Sequence, residues 1–128
     1  MLAVHTYADA KGAWQVGELA EGADAYVFAK AAQRRAQAGG GLCVFVARDD
    51  ARAGAFRSAV EFFAPELPVM HFPAWDCLPY DRISPSRTIA ARRAGTLHNL
   101  RHMEDGATAI LVTTIAALSQ KVPPRDVM

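Results

Sequence analysis

Leu42-Cys43-Val44-Phe45-Val46-Ala47 is an unbroken apolar run, bracketed by Gly39-Gly40-Gly41 before it and Arg48-Asp49-Asp50 after it. It is too short for a helix and rich in β-branched and aromatic residues. Such a run reads as a strand buried on both faces, the kind a parallel sheet uses. Upstream, residues 23–38 follow a helical period, with Ala23, Val27 and Ala31 at i, i+4 and i+8, and the glycines stop that helix. Downstream, Asp49 or Asp50 can cap a helix over 50–63 whose stripe is Phe56, Val60 and Phe63. Arg57 and Glu61 form an i,i+4 pair on its exposed side.

Outward from that unit the alternation continues. Pro65 and Pro68 close the helix, and Val69-Met70-His71-Phe72 predicts a second strand. A third helix is predicted over 88–103, then a turn at Asp105-Gly106 and a third buried strand at Ala109-Ile110-Leu111-Val112-Thr113. Thr113 or Thr114 can cap a short helix over 115–119, and Pro123-Pro124 forces an extended exit. Apolar strands alternating with amphipathic helices predict an α/β domain in three layers, a mainly parallel sheet flanked by helices. Residues 1–13 read as a lead, 14–124 as the domain and 125–128 as an exit toward a following domain.

The 128 residues suffice for one domain with a core; 52% are hydrophobic, 21% are charged and the net charge is +1. That balance gives no bulk electrostatic argument for nucleic acid or a membrane surface. Two cysteines without a CxxC, Cys43 and Cys77, do not make a disulfide framework or a zinc site, and suit a reducing cytoplasm. No stretch is long enough to span a membrane, and the N-terminus lacks the pattern of a secretory signal.

Three places could carry chemistry. The first is Gly17-Glu18-Leu19-Ala20-Glu21-Gly22-Ala23-Asp24, which has the GxxxxG frame of a phosphate loop. A working loop continues with Lys and Ser or Thr; here those positions are Ala23 and Asp24. Glu18, Glu21 and Asp24 add negative charge where a polyphosphate would sit, more than the half charge of a helix N-terminus offsets. The second is the arginine-rich stretch Arg82, Arg87, Arg92, Arg93 and Arg101, which contains His98 and His102 and no acid from Arg82 to Met103. Most of it reads as a solvated helix face. Arg93 falls on the apolar face of Ile89, Leu97, Leu100 and Met103, and a buried guanidinium needs a partner. The third is the loop Phe72 to Arg87, FPAWDCLPYDRISPSR, which has neither helical nor strand period. Trp75 and Tyr80 read as its anchors and Asp81 as the carboxylate that Arg93 reaches. His98 and His102 have helical metal-ligand spacing but no third ligand, so no metal site is expected. No catalytic pairing is expected either; Cys77 reads as a small filler.

Trp75-Asp76-Cys77-Leu78-Pro79-Tyr80-Asp81-Arg82-Ile83-Ser84-Pro85-Ser86 resembles the W-[DE]-x-L-P-Y-D-x-x-S-P-x run of the bacterial transcription-repair coupling factors. Ile89, Arg93, Thr96, Leu97 and Leu100, then Ile110 to Thr114 with Ala117 and Leu118, extend the likeness, as does Gly17-Glu18-Leu19. The resemblance covers about 14–124. It implies a RecA-like, UvrB-homologous module whose nucleotide site is degenerate. It implies no catalytic residue and no cofactor in this segment. ATP and magnesium belong to the motor of the full-length family protein, an ATP-dependent DNA translocase that displaces stalled RNA polymerase in transcription-coupled nucleotide excision repair. The implied partners are the rest of the chain, UvrA through a surface mostly beyond residue 128, and RNA polymerase and DNA through other domains; none is a membrane. Two other readings stay open. One is a stand-alone nucleotide-binding α/β domain, the other a fragment of a UvrB-type repair protein. The UvrB reading needs an intact phosphate loop and a long hairpin after the Tyr-Asp loop. A DNA-binding surface over Arg82–Arg101 is a further possibility.

Overall fold

The structure is a computed structural model that describes residues 12, 15–78, 80, 82–124 and 127. The elements in chain order are α1 (Ala23–Gln37), β1 (Gly41–Ala47), α2 (Asp50–Phe63), β2 (Val69–Phe72), α3 (Arg87–Arg101), β3 (Thr108–Thr114) and α4 (Ile115–Leu118). The three strands are parallel in the order β1-β3-β2, with Leu42 opposite Ala109 and Met70 opposite Leu111. Helices flank both faces, so the three-layer α/β reading holds.

Three of the four described helices start where the sequence supplies a side-chain cap. Asp49 accepts from Arg52 N at 2.7 Å, Ser86 from Ile89 N at 3.3 Å and Thr114 from Ala117 N at 3.2 Å. Each such bond satisfies an amide that the helix itself leaves open. Between α1 and β1 the chain turns at Gly40, which is buried at φ 79°. A β-carbon there would stand 1.9 Å from Gly106 O, so only glycine lets the two turns meet.

Side-chain alternation splits the core in two. The odd residues of β1 and the even residues of β3 meet α1 and α2. Ala25, Ala29 and Ala32 pack there with Phe56, Val60, Ile110 and Val112. Small alanines let α1 approach closely, and Phe56 fills the middle, stacked on Phe45 at 3.4 Å. Full burial of a ring of that size contributes about 2–3 kcal/mol. On the opposite face α3 lays Leu97 and Leu100 against Phe72, Leu111 and Ala117.

One expectation fails. β1 is an edge strand of the described sheet, and its burial alternates. Cys43, Phe45 and Ala47 point to the helices, while Leu42, Val44 and Val46 are 39%, 43% and 43% exposed. β3, the central strand, is the one buried on both faces.

Candidate functional site

The phosphate-loop segment comes first. Residues 17–20 are irregular and exposed. Ala23 N donates to Ala20 O at 3.0 Å, and Gly22, left-handed at φ 80°, leads into α1 without a side-chain cap. Asp24 sits in the first turn, and its carboxylate pairs with the Arg52 guanidinium of α2. Arg52 also lies over the Phe45 ring, 5.9 Å from its centroid. The carboxylate in the first turn of α1 is therefore already paired with the protein's own arginine. Glu18 and Glu21 stand exposed nearby. Arg52 cancels one of the three acidic charges counted from the sequence. Ala23 and Asp24 stand at the positions where a working phosphate loop has its lysine and hydroxyl.

The loop after β2 is built around Arg93. Thr96 and Arg93 are the buried residues of α3, both polar, and Arg93 is 2% exposed. Their helical spacing of three aims both at the end of β2. Thr96 Oγ1 donates to His71 O at 2.8 Å, and Arg93 Nη1 donates to Pro73 O at 2.6 Å. The guanidinium lies between two rings, 4.1 Å from the Phe72 centroid and 4.5 Å from that of Trp75. Gln120, just past α4, closes the cluster: its Oε1 accepts from Trp75 N at 2.8 Å and from Arg93 Nη1 at 3.4 Å. Thr113 Oγ1 donates to Phe72 O at 2.9 Å. Burial lowers the Arg93 pKa from its usual value. Further along, Asp76 accepts from Ser86 N at 3.1 Å, and this bond holds its carboxyl below the usual range. The loop is thus pinned from α3, β3 and the segment after α4.

Several sequence expectations are revised here. Asp81, the expected partner of Arg93, lies outside the described residues, as do residues 1–11. The partners seen are a backbone carbonyl, a glutamine and two rings. Tyr80 is no anchor: it is 97% exposed. Trp75 is held at its backbone by Gln120 and stacked on Arg93. Arg87 opens α3 at the surface, and Arg82, Arg92 and Arg101 are also exposed. Gln120 and Arg52 escaped the sequence reading because each acts across 27 residues or more. Thr96 had a signal, three residues after Arg93 on the same face.

Beside the clasp opens a groove of about 750 Å³, lined by Trp75, Cys77, Leu78, Tyr80, Ile83 and Lys121 among others. No histidine, aspartate or glutamate is among its described lining residues. Burial raises the Cys43 thiol above its usual value, although Arg35 opposes this, and Cys43 is thus no ready nucleophile. His102 Nδ1 lies 2.8 Å from His98 O, so this pair is tied to its own helix. Among the described residues no three His, Cys, Asp or Glu side chains converge on a metal position, and no helix is long and apolar enough to cross a membrane.

No family model matches the chain. It is similar to parts of curated transcription-repair-coupling factors. That of Escherichia coli K12 is 32% identical over 111 residues, 87% of this chain and 9% of the relative. That of Rickettsia conorii is 37% identical over 65 residues, 51% of this chain and 6% of the relative, and that of Rickettsia prowazekii 40% identical over a stretch of the same length. The chain spans less than a tenth of the length of these relatives.

Proposed function

We propose that this chain is a non-catalytic interaction module, the UvrB-like segment of a transcription-repair coupling factor. The observation that carries the reading is the ion pair of Asp24 with Arg52 at the mouth of the phosphate-loop frame, where a working site has lysine and a hydroxyl. The clasp around Arg93 supports it. Its described side chains donate to backbone carbonyls and to Gln120, which stiffens a loop. The similarity to coupling factors supplies the setting. In that setting the longer polypeptide uses ATP and magnesium in other segments to move along DNA and displace stalled RNA polymerase. It recruits the excision machinery, with UvrA contacted mostly by segments other than this one. This segment scaffolds those surfaces from a cytoplasmic protein.

The test is ATP hydrolysis by the longer polypeptide with and without residues 1–128. Hydrolysis retained or raised after removal is expected of a scaffold. A fall to background in a remainder that stays folded by circular dichroism would overturn the reading.

A further inference from the structure

The arginines of α2 and those of α3 are treated in opposite ways. On α2, Arg52 pairs with Asp24 and Arg57 with Glu61, and Arg48 just before the helix pairs with Asp49. On α3, Arg87 and Arg92 are exposed, and among the described residues neither has a carboxylate partner. No acid occurs in the sequence from Arg82 to Met103. Acids flank the helix instead: Asp76 accepts from Ser86 N ahead of it, and Glu104 and Asp105 follow it. Arg87 also stands against the helix's own electrostatics. It opens α3, where the macrodipole favours a carboxylate, and the first turn holds no acid. Helix stability therefore does not account for it.

The shape of the same face is unusual for a surface helix. Arg93, Thr96, Leu97 and Leu100 turn toward the sheet, which directs Arg87, Ala91, Gly95 and His98 away from it. The middle of the outward face is small, with Ala91, Ala94 and Gly95 all exposed. A β-carbon added at Gly95 would meet open space, so the chain's own packing does not call for glycine there. Glycine inside a helix costs stability relative to alanine. No large apolar residue is among the exposed residues of α3. The face is a shallow trough, basic along its first half and without bulk at its centre.

We propose that this outward face of α3 docks an acidic helix of a separate protein. The proposal rests on the reading of the chain as an interaction module and names the kind of partner. Carboxylates on such a helix would meet Arg87 and Arg92, and beside Arg87 they would also meet the positive end of α3. The small centre lets two helix axes approach to about 8 Å, the near end of the usual range. Nucleic acid fits less well. Alanines and a glycine do not reach phosphates, and a net charge of +1 gives the chain no long-range pull on a polyanion. A second copy would set arginine against arginine. A permanent cover from the same polypeptide would bury large apolar side chains, whereas a charged face without them suits a reversible, salt-sensitive encounter.

The probe is a labelled peptide of about 18 residues, stapled as a helix long enough to span α3, with alanines in its middle and glutamates in its outer turns. Its fluorescence anisotropy is titrated with the 128-residue chain and with the longer polypeptide. One control replaces the glutamates by lysines, and another replaces the peptide by duplex DNA. The acidic peptide should bind both proteins saturably, with an affinity that falls at least roughly tenfold as salt rises from about 0.03 to 0.3 M. The lysine peptide should not bind. Arg87→Glu combined with Arg92→Glu should weaken binding by at least roughly tenfold, with the circular dichroism of the parent retained because both side chains are exposed. Gly95→Gln, whose side chain enters open space, should do the same by holding the partner off. No saturable binding, equal binding of the lysine peptide, or binding unchanged in both variants would overturn the proposal. So would tighter binding of the duplex, the mark of a nucleic-acid surface. Binding by the short chain that the longer polypeptide lacks would overturn it in favour of a cover from the same chain. Self-association in sedimentation that Arg87→Glu abolishes would overturn it in favour of a second copy. Saturable binding of magnesium-ATP to the same chain would sink the underlying module reading, through a signal separate from all of these.

Discussion

Replacing Arg93 with alanine should loosen the fold rather than stop a reaction, and the cost can be worked from the contacts. The substitution leaves Pro73 O buried without its 2.6 Å donor. A hydrogen bond to a charged group contributes about 1.5–3 kcal/mol. It also empties the space between Phe72 and Trp75, where the cation over two rings adds about 1–2 kcal/mol. Against these stands the relief of a desolvated guanidinium, which offsets about half of the sum by the usual behaviour of buried charges. The net loss is about 1–2.5 kcal/mol. At roughly 4 °C per kcal/mol for a chain of this size, the melting temperature falls by about 5–10 °C. Urea titration followed by circular dichroism measures it. Arg93→Met keeps most of the volume and loses only the polar contacts, so it should fall between the parent and the alanine variant. An alanine variant within about 0.5 kcal/mol of the parent would refute the clasp, because that is the range of an ordinary surface substitution. A methionine variant as stable as the parent would refute the role given to Pro73 O.

Gly40→Ala should cost roughly 2–4 kcal/mol, because the backbone there is left-handed and the new carbon would meet Gly106 O; a stability like that of the parent in the same titration would contradict it. His71 supplies a pH dependence. Burial first, then Arg57 and Arg92, lower its pKa, while Asp50 opposes them. The unfolded chain therefore takes up a proton near the ordinary value of about 6.5 that the folded chain resists, so stability is full above that pH and is lost as pH falls through the lower folded value. His71→Gln should flatten the loss between neutral and mildly acidic pH, and an unchanged slope would count against the assignment.

Most of the fold was legible because each signal was local. The glycines after α1, the carboxylate before α2 and Thr114 before α4 mark boundaries by what one residue does to its neighbours' backbone. The helical phase of α3 likewise put Arg93 on the inward face. Failure came where the answer depends on something distant. An apolar run such as Leu42–Ala47 looks alike in the centre and at the edge of a sheet; strand order decides, and strand order is not local. The run did imply two covered faces, and the structure covers one. At Arg93 the partners among the described residues are a carbonyl and Gln120, placed by the chain's return through β3 and α4, and neither was local enough to read. Tyr80 looked like an anchor from its type alone, but the inward position beside Arg93 is taken by Trp75. At the phosphate-loop frame the missing lysine was plain to read. The arginine that pairs with Asp24 was not, because it arrives from a different helix.

The central claim is that the frame at Gly17 to Asp24 holds an ion pair in place of a nucleotide. Calorimetric titration of the 128-residue chain with magnesium-ATP tests it most directly, with circular dichroism on the same sample to establish that the chain is folded. The account predicts no saturable heat as ATP is raised into the range of roughly 1 mM, a binding free energy weaker than about 4 kcal/mol. Saturable binding at micromolar ATP, abolished when the residues around Asp24 are replaced, would contradict it.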